Sequence, residues 1–433
     1  MEWLSITLVL SALLVALNWY FYGKVARFAD GFVPRWRRFV PAFFAVMNAP
    51  YLLLTGTYIF GHRLHDLPEP LLKVAVYPFY AWSTTLLAVL LLTAPKDLAV
   101  GLGRGLLWIW RRLRPEPKPL EPTMAGVTRR GFFSAAAAVV PPLVYGFSAH
   151  GLYAGHDLEV SPEIPVGIPG LPRAFDGLRI TQISDLHVGA YIREREMAEV
   201  IEQVNRIKGD LLVLTGDILD SSLEMLPVAQ AAVAQLRAPL GVYGILGNHD
   251  YYADRPARCM HIMEGMRQAG VRMLRNSRTE LAENGERLIL AGVDWTGAQR
   301  GNPIMYNSIA SRHALDQTFH GAEPGLVRIL LAHHPHHFLE AQSYHLDLTL
   351  SGHTHGGGQV VVAEYNGRPI AIGSAIFRYV SGLYQENGRT LYVNRGVGYV
   401  GLPMRINCPP EISRFRLVAT GRYLDPRTPQ PRA

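Results

Sequence analysis

An aspartate and a histidine follow an apolar segment near the middle of this chain. The run from Leu178 to Ser184 is rich in β-branched residues and predicts a buried strand, and Asp185 and His187 follow it. Side chains two positions apart on an extended chain share a side, so this carboxylate and imidazole can converge on one point. Together they suit a divalent metal ion, although a loop acid near a histidine is usually solvated surface. The pair is therefore informative only if the chain supplies further ligands.

Other apolar runs along the chain also end in residues that can bind a metal. Segments 211–214, 242–246, 327–332 and 346–350 predict strands, and a short polar sequence follows each of them. These sequences supply, in chain order, Asp217, Asn248, His249, Asp250, His333, His353 and His355. Each has a structural explanation when taken alone, because Gly-Asp turns and histidines at strand ends are common. A whole series of strand ends that offer oxygen or nitrogen ligands in one domain indicates a metal centre.

Helical segments alternate with the first of these strands. Residues 194–208, 223–236 and 255–268 have helical periodicity and separate the strands. This β-α-β-α order predicts an α/β fold with a largely parallel sheet and helices outside it. Ligands of such sheets collect at the carboxyl ends of the strands, which is where the candidate metal ligands follow.

The order of these motifs resembles one known family. It is similar to the calcineurin-like metallophosphoesterases, above all their bacterial membrane-attached or exported branch, through Asp185-x-His187, Gly216-Asp217, Gly247-Asn248-His249-Asp250, His333 and Gly352-His353-x-His355. The resemblance covers residues 176–418 and implies a four-layer α-β-β-α sandwich that hydrolyses phosphoesters with two divalent metal ions. It implies that Asp217 bridges the two ions. The further ligands implied are Asp185, His187 and His355 for one ion, and Asn248, His333 and His353 for the other.

The residue types support this chemistry independently of the family. Mixed carboxylate and imidazole ligands without thiolate suit Mn²⁺, Fe or Zn²⁺. Two ions about 3.5–4 Å apart can activate a water and stabilise both oxygens of an in-line displacement at phosphorus. His249 lies between Asn248 and Asp250 and is not assigned to a metal. We therefore predict that His249 protonates the leaving alkoxide as a general acid and that Asp250 orients its ring.

The N-terminal part of the chain has the composition of a membrane region. Apolar runs at 3–22, 39–60 and 74–93 are each long enough to cross about 30 Å of hydrocarbon as a helix. Residues 1–112 therefore predict about three transmembrane helices. Lys and Arg residues concentrate after the first and third runs, which predicts that these loops are cytoplasmic.

A linker and a further apolar run connect this region to the predicted phosphoesterase domain. Residues 113–130 are proline-rich and basic and predict a cytoplasmic linker, and 419–433 form a tail. The segment 131–154 follows two arginines, resembles a twin-arginine export signal and predicts a fourth span. This topology predicts a multi-pass protein of the cytoplasmic membrane with the domain at 176–418 on the extracytoplasmic side.

The charge distribution argues against a nucleic-acid-binding protein. The chain has 42 Lys and Arg against 35 Asp and Glu, but residues 1–130 alone hold 15 of the former and 7 of the latter. The basic excess is thus confined to the apolar N-terminal part, and the remainder has no basic stripe. Cys259 and Cys408 lack the spacing of a zinc finger or a thioredoxin-like site.

The predicted partners are a phosphoester substrate and the membrane; the sequence does not identify a protein partner. A metal centre outside the membrane favours a lipid-linked or cell-envelope phosphoester over a cytosolic nucleotide. Aromatic and apolar residues near the ligands predict either a lipid-facing rim or ordinary packing, namely Tyr251, Tyr252, Trp295, Tyr306, Tyr399 and Val400. The alternatives are a pyrophosphatase acting on a nucleotide-linked lipid precursor, a metal-binding scaffold without activity, and a sensor or transporter in the N-terminal region.

Overall fold

The computed structural model describes residues 2–32, 34–59, 64–113, 129–251, 255–296 and 308–420. The predicted linker at 113–130 and tail at 419–433 lie almost entirely outside these residues. The chain divides into the units Met1–Tyr153 and Ala154–Ala433. The first unit is mainly helical and contains α1 (Glu2–Phe32), α2 (Val40–Ile59), α3 (Glu69–Leu71), α4 (Tyr77–Leu113) and α5 (Arg129–Tyr153). A π-helical turn joins α3 to α4, so the backbone stays helical from Glu69 to Leu113.

Helices α1, α2 and α4 pack through their apolar side chains. Leu17, Phe44 and Trp82 are each at most 8% exposed in this cluster. Asn18 of α1 and Asn48 of α2 exchange two amide hydrogen bonds of 3.0 and 2.8 Å. These bonds satisfy polar groups that lie between apolar helices, and they fix the register of α1 against α2.

One helical stretch in the described part of the chain, Glu69–Trp110, is long and apolar enough to cross a membrane, and an 18-residue window within it has a mean hydropathy of 1.7. It contains the predicted span 74–93. The predicted spans 3–22, 39–60 and 131–154 lie mostly within α1, α2 and α5. Their crossing of a membrane stays a prediction.

In its described part, the second unit contains two mixed β-sheets. The first sheet is built from β1 (Glu159–Pro169), β2 (Arg179–Ile183), β3 (Leu211–Thr215), β4 (Val242–Ile245), β5 (Val271–Met273) and β14 (Glu411–Thr420). Its spatial order is β1-β14-β2-β3-β4-β5, in which β2 to β5 are parallel and β14 runs antiparallel to β2.

The second sheet is built from β6 (Ser277–Glu283), β7 (Glu286–Gly292), β8 (Arg328–Leu331), β9 (Leu348–Ser351), β12 (Gly382–Glu386) and β13 (Arg389–Val393). Its order is β12-β13-β9-β8-β7-β6, and only its edge strands β12 and β6 pair antiparallel to their neighbours. A separate antiparallel ribbon consists of β10 (Val361–Tyr365) and β11 (Arg368–Ala371).

Helices cover the outer faces of the sheets, namely α6 (Glu194–Ile207), α7 (Leu226–Val233) and α8 (Arg255–Gln268) on the first and α9 (Ser308–Phe319) on the second. Buried residues at helical spacing form the apolar face of α6: Met197, Val200, Ile201 and Val204. A further core between the sheets contains Val213 of β3 and Leu331 of β8. The layer order helix-sheet-sheet-helix is that of the predicted α-β-β-α sandwich, although both sheets are mixed.

Strand β1 contains the prolines Pro162 and Pro165, although proline cannot donate a ladder hydrogen bond. Within the described parts of the chain, β1 is the edge strand of the first sheet and pairs only with β14. An edge position leaves one side of the strand without a partner, so the prolines are tolerated there.

Candidate metal centre

The predicted ligands lie at the carboxyl ends of neighbouring parallel strands. Strands β2, β3 and β4 are adjacent in the first sheet, and β8 and β9 are adjacent in the second. Backbone hydrogen bonds join the loops that follow: the N–H of Asp185 donates to Gly216 at 3.0 Å, and that of Gly352 donates to His333 at 3.1 Å. The N–H of His353 then donates across the sheets to the carboxylate of Asp185 at 3.0 Å. The predicted ligands therefore meet in one cluster.

Asp185, His187 and His355 form one group of converging donor atoms, which lie within 4.8 Å of one another. Nε2 of His187 is 3.1 Å from Nε2 of His355, which is itself 3.3 Å from Oδ1 of Asp185. All three residues are at most 2% exposed. This is the set predicted for one of the two ions.

Asp217, His333 and His353 form a second group within the same distance limit of 4.8 Å. The amide oxygen of Asn248 completes it, because Oδ1 lies 3.0 Å from Nε2 of His333 and 2.8 Å from Nδ1 of His353. This is the set predicted for the other ion.

Asp217 lies between the two groups. Its Oδ2 is 3.5 Å from Nε2 of His187 and 3.2 Å from Nε2 of His333. One carboxylate oxygen is therefore within reach of both candidate sites, as a bridging ligand must be.

The donor atoms fit two divalent cations. Nε2 of His187 and Nε2 of His355 face each other at 3.1 Å, beside carboxylate oxygens. A divalent cation bound there would accept the lone pairs of both nitrogens and of the carboxylates. The donor set contains carboxylate, amide oxygen and imidazole but no thiolate, which is the chemistry of catalytic Mn²⁺, Fe or Zn²⁺ sites.

The backbone of the ligand loops is strained. Several non-glycine residues with positive φ are candidate ligands, with φ between 45° and 73°: Asp185, His187, Asp217, His353 and His355. Left-handed backbone costs such residues about 1–2 kcal/mol each. Strain of this kind persists where surrounding contacts impose it, and it commonly marks functional sites.

Two glycines give the ligands the space that they occupy. A Cβ atom at Gly352 would overlap Oγ of Ser184 and Oδ2 of Asp185. A Cβ atom at Gly247 would overlap Oδ1 of Asp217. Any larger residue at these positions displaces a candidate ligand, which explains why glycines occur in these motifs.

Electrostatics keep several imidazoles in the form that binds metals. Burial, reinforced by His249 and His355, places the pKa of His187 well below its ordinary value. Burial and the neighbouring His334 have the same effect on the pKa of His353. Both rings are therefore neutral at physiological pH, as a metal ligand must be.

Charged neighbours outweigh the effect of burial on the pKa of two other groups in the cluster, His333 and Asp185. Burial lowers the pKa of His333, but the adjacent Asp217 outweighs burial and raises that pKa to about 9. Burial also raises the pKa of Asp185, yet His355 and further contacts bring it down to about 2. The buried carboxylates of the cluster are therefore ionised, and their negative charge favours the binding of cations.

The prediction that Asp250 orients the ring of His249 is corrected by the contacts. The carboxylate of Asp250 accepts hydrogen bonds from the backbone N–H groups of Gly247, Ile218 and Leu219 at 2.8–3.2 Å. It therefore fixes the loops that carry Asp217 and Asn248. The ring of His249 instead lies beside Asp220, whose carbonyl oxygen is 3.1 Å and whose Oδ1 is 3.5 Å from Nδ1.

Sequence reasoning missed Asp220, although it follows Asp217 by three positions in the same loop. It also missed Arg405, which is 1% exposed and donates to the carbonyl oxygens of Gly396 and Gly398 at 2.9 and 2.5 Å. Gly398 in turn donates its N–H to Asp185 at 2.7 Å. Arg405 thus supports a ligand through an intervening loop, and no local motif indicates this.

The predicted aromatic rim is mostly packing. Tyr251, Trp295 and Tyr399 are at most 8% exposed, whereas Val400 is 39% exposed. The ring of Trp295 lies 5.3 Å from that of His353 and so supports a candidate ligand. A lipid-facing role for the three buried aromatic residues is therefore wrong; Tyr252 and Tyr306 lie outside the described residues.

Comparison with known proteins places these features in a family. The model of the calcineurin-like phosphoesterase family matches residues 178–357. The uncharacterized metallophosphoesterase YkuE of Bacillus subtilis (strain 168) is 34% identical over 295 residues, which cover 67% of this chain and 96% of that protein. An uncharacterized metallophosphoesterase of Aquifex aeolicus (strain VF5) is 33% identical over 56% of this chain and 85% of its own length.

A vertebrate relative is matched over a smaller share of its length. The Danio rerio protein named transmembrane protein with metallophosphoesterase domain is 33% identical over 269 residues, which cover 60% of this chain and 56% of that protein. The bacterial matches extend over most of each relative, and the donor atoms that converge here fit two divalent metal ions. The chain therefore belongs to the calcineurin-like metallophosphoesterases, which hydrolyse phosphoric ester bonds.

Proposed function

We propose that this protein is a membrane-anchored phosphoesterase with two divalent metal ions, which hydrolyses phosphomonoesters or phosphodiesters of a lipid or cell-envelope substrate. The observation that carries the proposal is the position of Asp217 Oδ2, within 3.5 Å of donor nitrogens in both candidate sites. A carboxylate in this position suits a pair of ions that act together on one phosphoryl group. We assign this activity to residues 176–418.

In this proposal, Asp185, His187 and His355 would hold one ion, and Asn248, His333 and His353 would hold the other. Asp217 would be a ligand of both. When bound, the ions supply Lewis acidity that neutralises phosphoryl oxygens and activates a water.

The chain's own residues provide the proton and the alignment. His249 protonates the leaving alkoxide, and its Nδ1 lies 3.1 Å from the carbonyl oxygen and 3.5 Å from Oδ1 of Asp220, which orients the ring. Asp250 holds the backbone of the loops that carry Asp217 and Asn248. These contacts hold the His249 ring at a fixed position relative to the candidate metal ligands Asp217 and Asn248.

Membrane anchoring is supported by the helical stretch Glu69–Trp110 and by a relative that is named a transmembrane protein. The predicted arrangement has several spans, with the metal centre on the extracytoplasmic side of the cytoplasmic membrane. A fluorescent reporter fused after Ala433 tests this arrangement: cytoplasmic fluorescence would contradict it and would favour a pyrophosphatase that acts on a nucleotide-linked lipid precursor.

Hydrolysis is tested with the full-length protein in detergent. We expect turnover of bis-p-nitrophenyl phosphate or p-nitrophenyl phosphate with Mn²⁺, Fe²⁺ or Zn²⁺, and its loss with a chelator. The variant Asp217→Asn should lose at least a thousandfold in kcat, whereas Asp210→Asn, at a surface ion pair with Arg179, should not. A metal-loaded protein without turnover on either ester would contradict hydrolysis and leave the scaffold alternative.

A further inference from the structure

Exposed apolar side chains concentrate on one small element next to the metal centre. We use the name apolar ribbon for residues 361–376, which comprise β10, β11 and the short helical turn Ile372–Ala375. The ribbon carries five of the nine large hydrophobic residues that are exposed in the described part of the second unit: Val362 (71%), Tyr365 (69%), Ile370 (49%), Ile372 (76%) and Ile376 (58%). The remaining four are scattered over other elements. Such clustering indicates an interaction surface.

The ribbon exposes apolar groups along one face and at a register shift. Ala363 pairs with Ile370 and Tyr365 pairs with Arg368, so these side chains share one face. Val362 is exposed at the register shift between Val361 and Ala363, on the adjoining part of the strand. The ribbon therefore presents a cluster of exposed apolar side chains that can enter lipid hydrocarbon.

The base of the ribbon is fixed to the ligand loop. The candidate ligand His355 begins the short helix α10 (His355–Gly358), which leads directly into β10. At the base, the N–H of Val361 donates to Ile406 at 2.9 Å, and Asn407 Nδ2 donates to Val361 at 3.1 Å. These hydrogen bonds anchor the base of the ribbon, so the position of its exposed residues relative to the candidate metal ligands is fixed.

A continuous apolar path connects the ribbon to the second metal site. Phe377 follows the exposed Ile376, and its ring lies 5.5 Å from that of His353. A molecule with an apolar part against Ile376 and Phe377 can therefore reach the candidate metal ligands with a polar part.

The end of the ribbon has the residue types of a membrane interface. Tyr365 lies opposite Arg368 in the register, and both are exposed. Tyrosine prefers the boundary between hydrocarbon and water, and a guanidinium group complements the anionic phosphates of lipid head groups. Arg378 adds a second, 58% exposed guanidinium beside the ribbon, although Glu386 pairs with it at 3.0 Å.

From these features we propose that the apolar ribbon inserts into a lipid surface that contains anionic head groups. Insertion brings the metal centre to the level of the head-group phosphates, which are phosphoesters of the kind this centre acts on. The inference rests on the proposed function for its substrate class, but the contact with lipid does not depend on catalysis. The chain that carries this ribbon also contains a stretch suited to cross a bilayer, so lipid is continuously available to it.

The test measures lipid contact at one position of the ribbon. The full-length Ile372→Cys variant carries a polarity-sensitive fluorophore and is reconstituted in nanodiscs of phosphatidylethanolamine and phosphatidylglycerol. Cys259 and Cys408 are buried and do not compete for the label. The matched control is Ile309→Cys on α9, because Ile309 is 77% exposed and Ile372 is 76% exposed. Lipids with a nitroxide on the acyl chain should quench the label at 372 at least threefold more than the label at 309.

Equal quenching at the two positions would overturn the proposal. So would a blue-shifted label at 372 that nitroxide lipids do not quench, because that result means that protein covers the ribbon. Hydrolysis of bis-p-nitrophenyl phosphate by the same samples separates this inference from the proposed function. Hydrolysis without selective quenching rejects the ribbon contact alone, and selective quenching without hydrolysis rejects the proposed activity alone.

Discussion

Nδ1 of His249 lies 3.1 Å from the carbonyl oxygen and 3.5 Å from Oδ1 of Asp220. The same carboxylate is 3.8 Å from Nδ1 of His187, so it stands beside both the proposed acid and a proposed metal ligand. Burial lowers the pKa of His249, but Asp217 and Asp220 outweigh burial and raise it. The ring is therefore biased towards the protonated form that a general acid needs.

Replacing Asp220 by asparagine should slow the hydrolysis of esters with poor leaving groups. The loss of the carboxylate weakens protonation of His249, so kcat for alkyl esters should fall about tenfold or more, and His249→Ala should cost about 10²–10⁴-fold. The p-nitrophenyl esters should be much less affected, because their leaving group does not need a proton. The measurement is kcat against the pKa of the leaving group, with metal content determined in parallel. Equal losses on all esters would contradict an acid at His249.

Adding one methyl group at Gly352 should remove metal from the centre. In Gly352→Ala the new Cβ displaces Asp185, so metal content measured by elemental analysis should fall by about one ion per chain, together with the activity. The control is Gly270→Ala, where φ is +88° but nothing lies within 4 Å. That control should lose about 1 kcal/mol of stability through backbone strain and keep its metal. A Gly352→Ala protein with full metal content would show that the overlap relaxes without moving the ligand.

The cluster of candidate ligands was predictable from the sequence because each candidate lies in the short polar sequence after an apolar strand. The rule that parallel strands present their carboxyl ends at one edge then brings residues as distant as Asp185 and His353 together. The partner of His249 was not predictable in this way. Asp250 is adjacent in sequence, yet its carboxylate is used by backbone N–H groups, and the loop after β3 delivers Asp220 to the ring instead.

Other features depended on neighbours that the sequence does not identify. The proline-containing segment that forms β1 is a strand because β14, more than 240 residues later, pairs with it. Similarly, Trp295 and Tyr399 are buried by tertiary packing, whereas residues without any chemical motif, such as Ile372, form the exposed apolar surface. Local patterns thus located the chemistry but not the surfaces around it.

Removal of the metal ions should lower the melting temperature of the full-length protein. Asp185 and Asp217 are buried, at most 1% exposed, and without cations their charges lack full compensation. Ions held at a hundredfold excess over their dissociation constant contribute about 2.7 kcal/mol, so a chelator should lower the melting temperature by about 5 °C or more. In Asp217→Asn the chelator should have little further effect. A chelator shift of equal size in wild-type and variant protein would show that the stabilising ions bind elsewhere.

Acid should destabilise the phosphoesterase unit through His337. This ring is 1% exposed and lies 2.6 Å from Oγ of Ser311. Burial, helped by His336 and His333, lowers its pKa from 6.5 to about 3. The folded state keeps the ring neutral where the unfolded chain binds a proton, so stability is complete above pH 6.5 and is lost as the pH falls towards 3. Between pH 7 and 5 this amounts to about 2 kcal/mol.

The variant His337→Leu isolates this contribution. Urea unfolding of chelator-treated, full-length protein in detergent, followed by tryptophan fluorescence, gives the free energy of unfolding at each pH. The chelator removes the separate effect of acid on metal binding. The wild-type protein should lose about 2 kcal/mol more than the variant between pH 7 and 5. If the free energy of unfolding falls equally with pH in the two proteins, another buried group controls the acid sensitivity. His337 would then be protonated or accessible to water in the folded state.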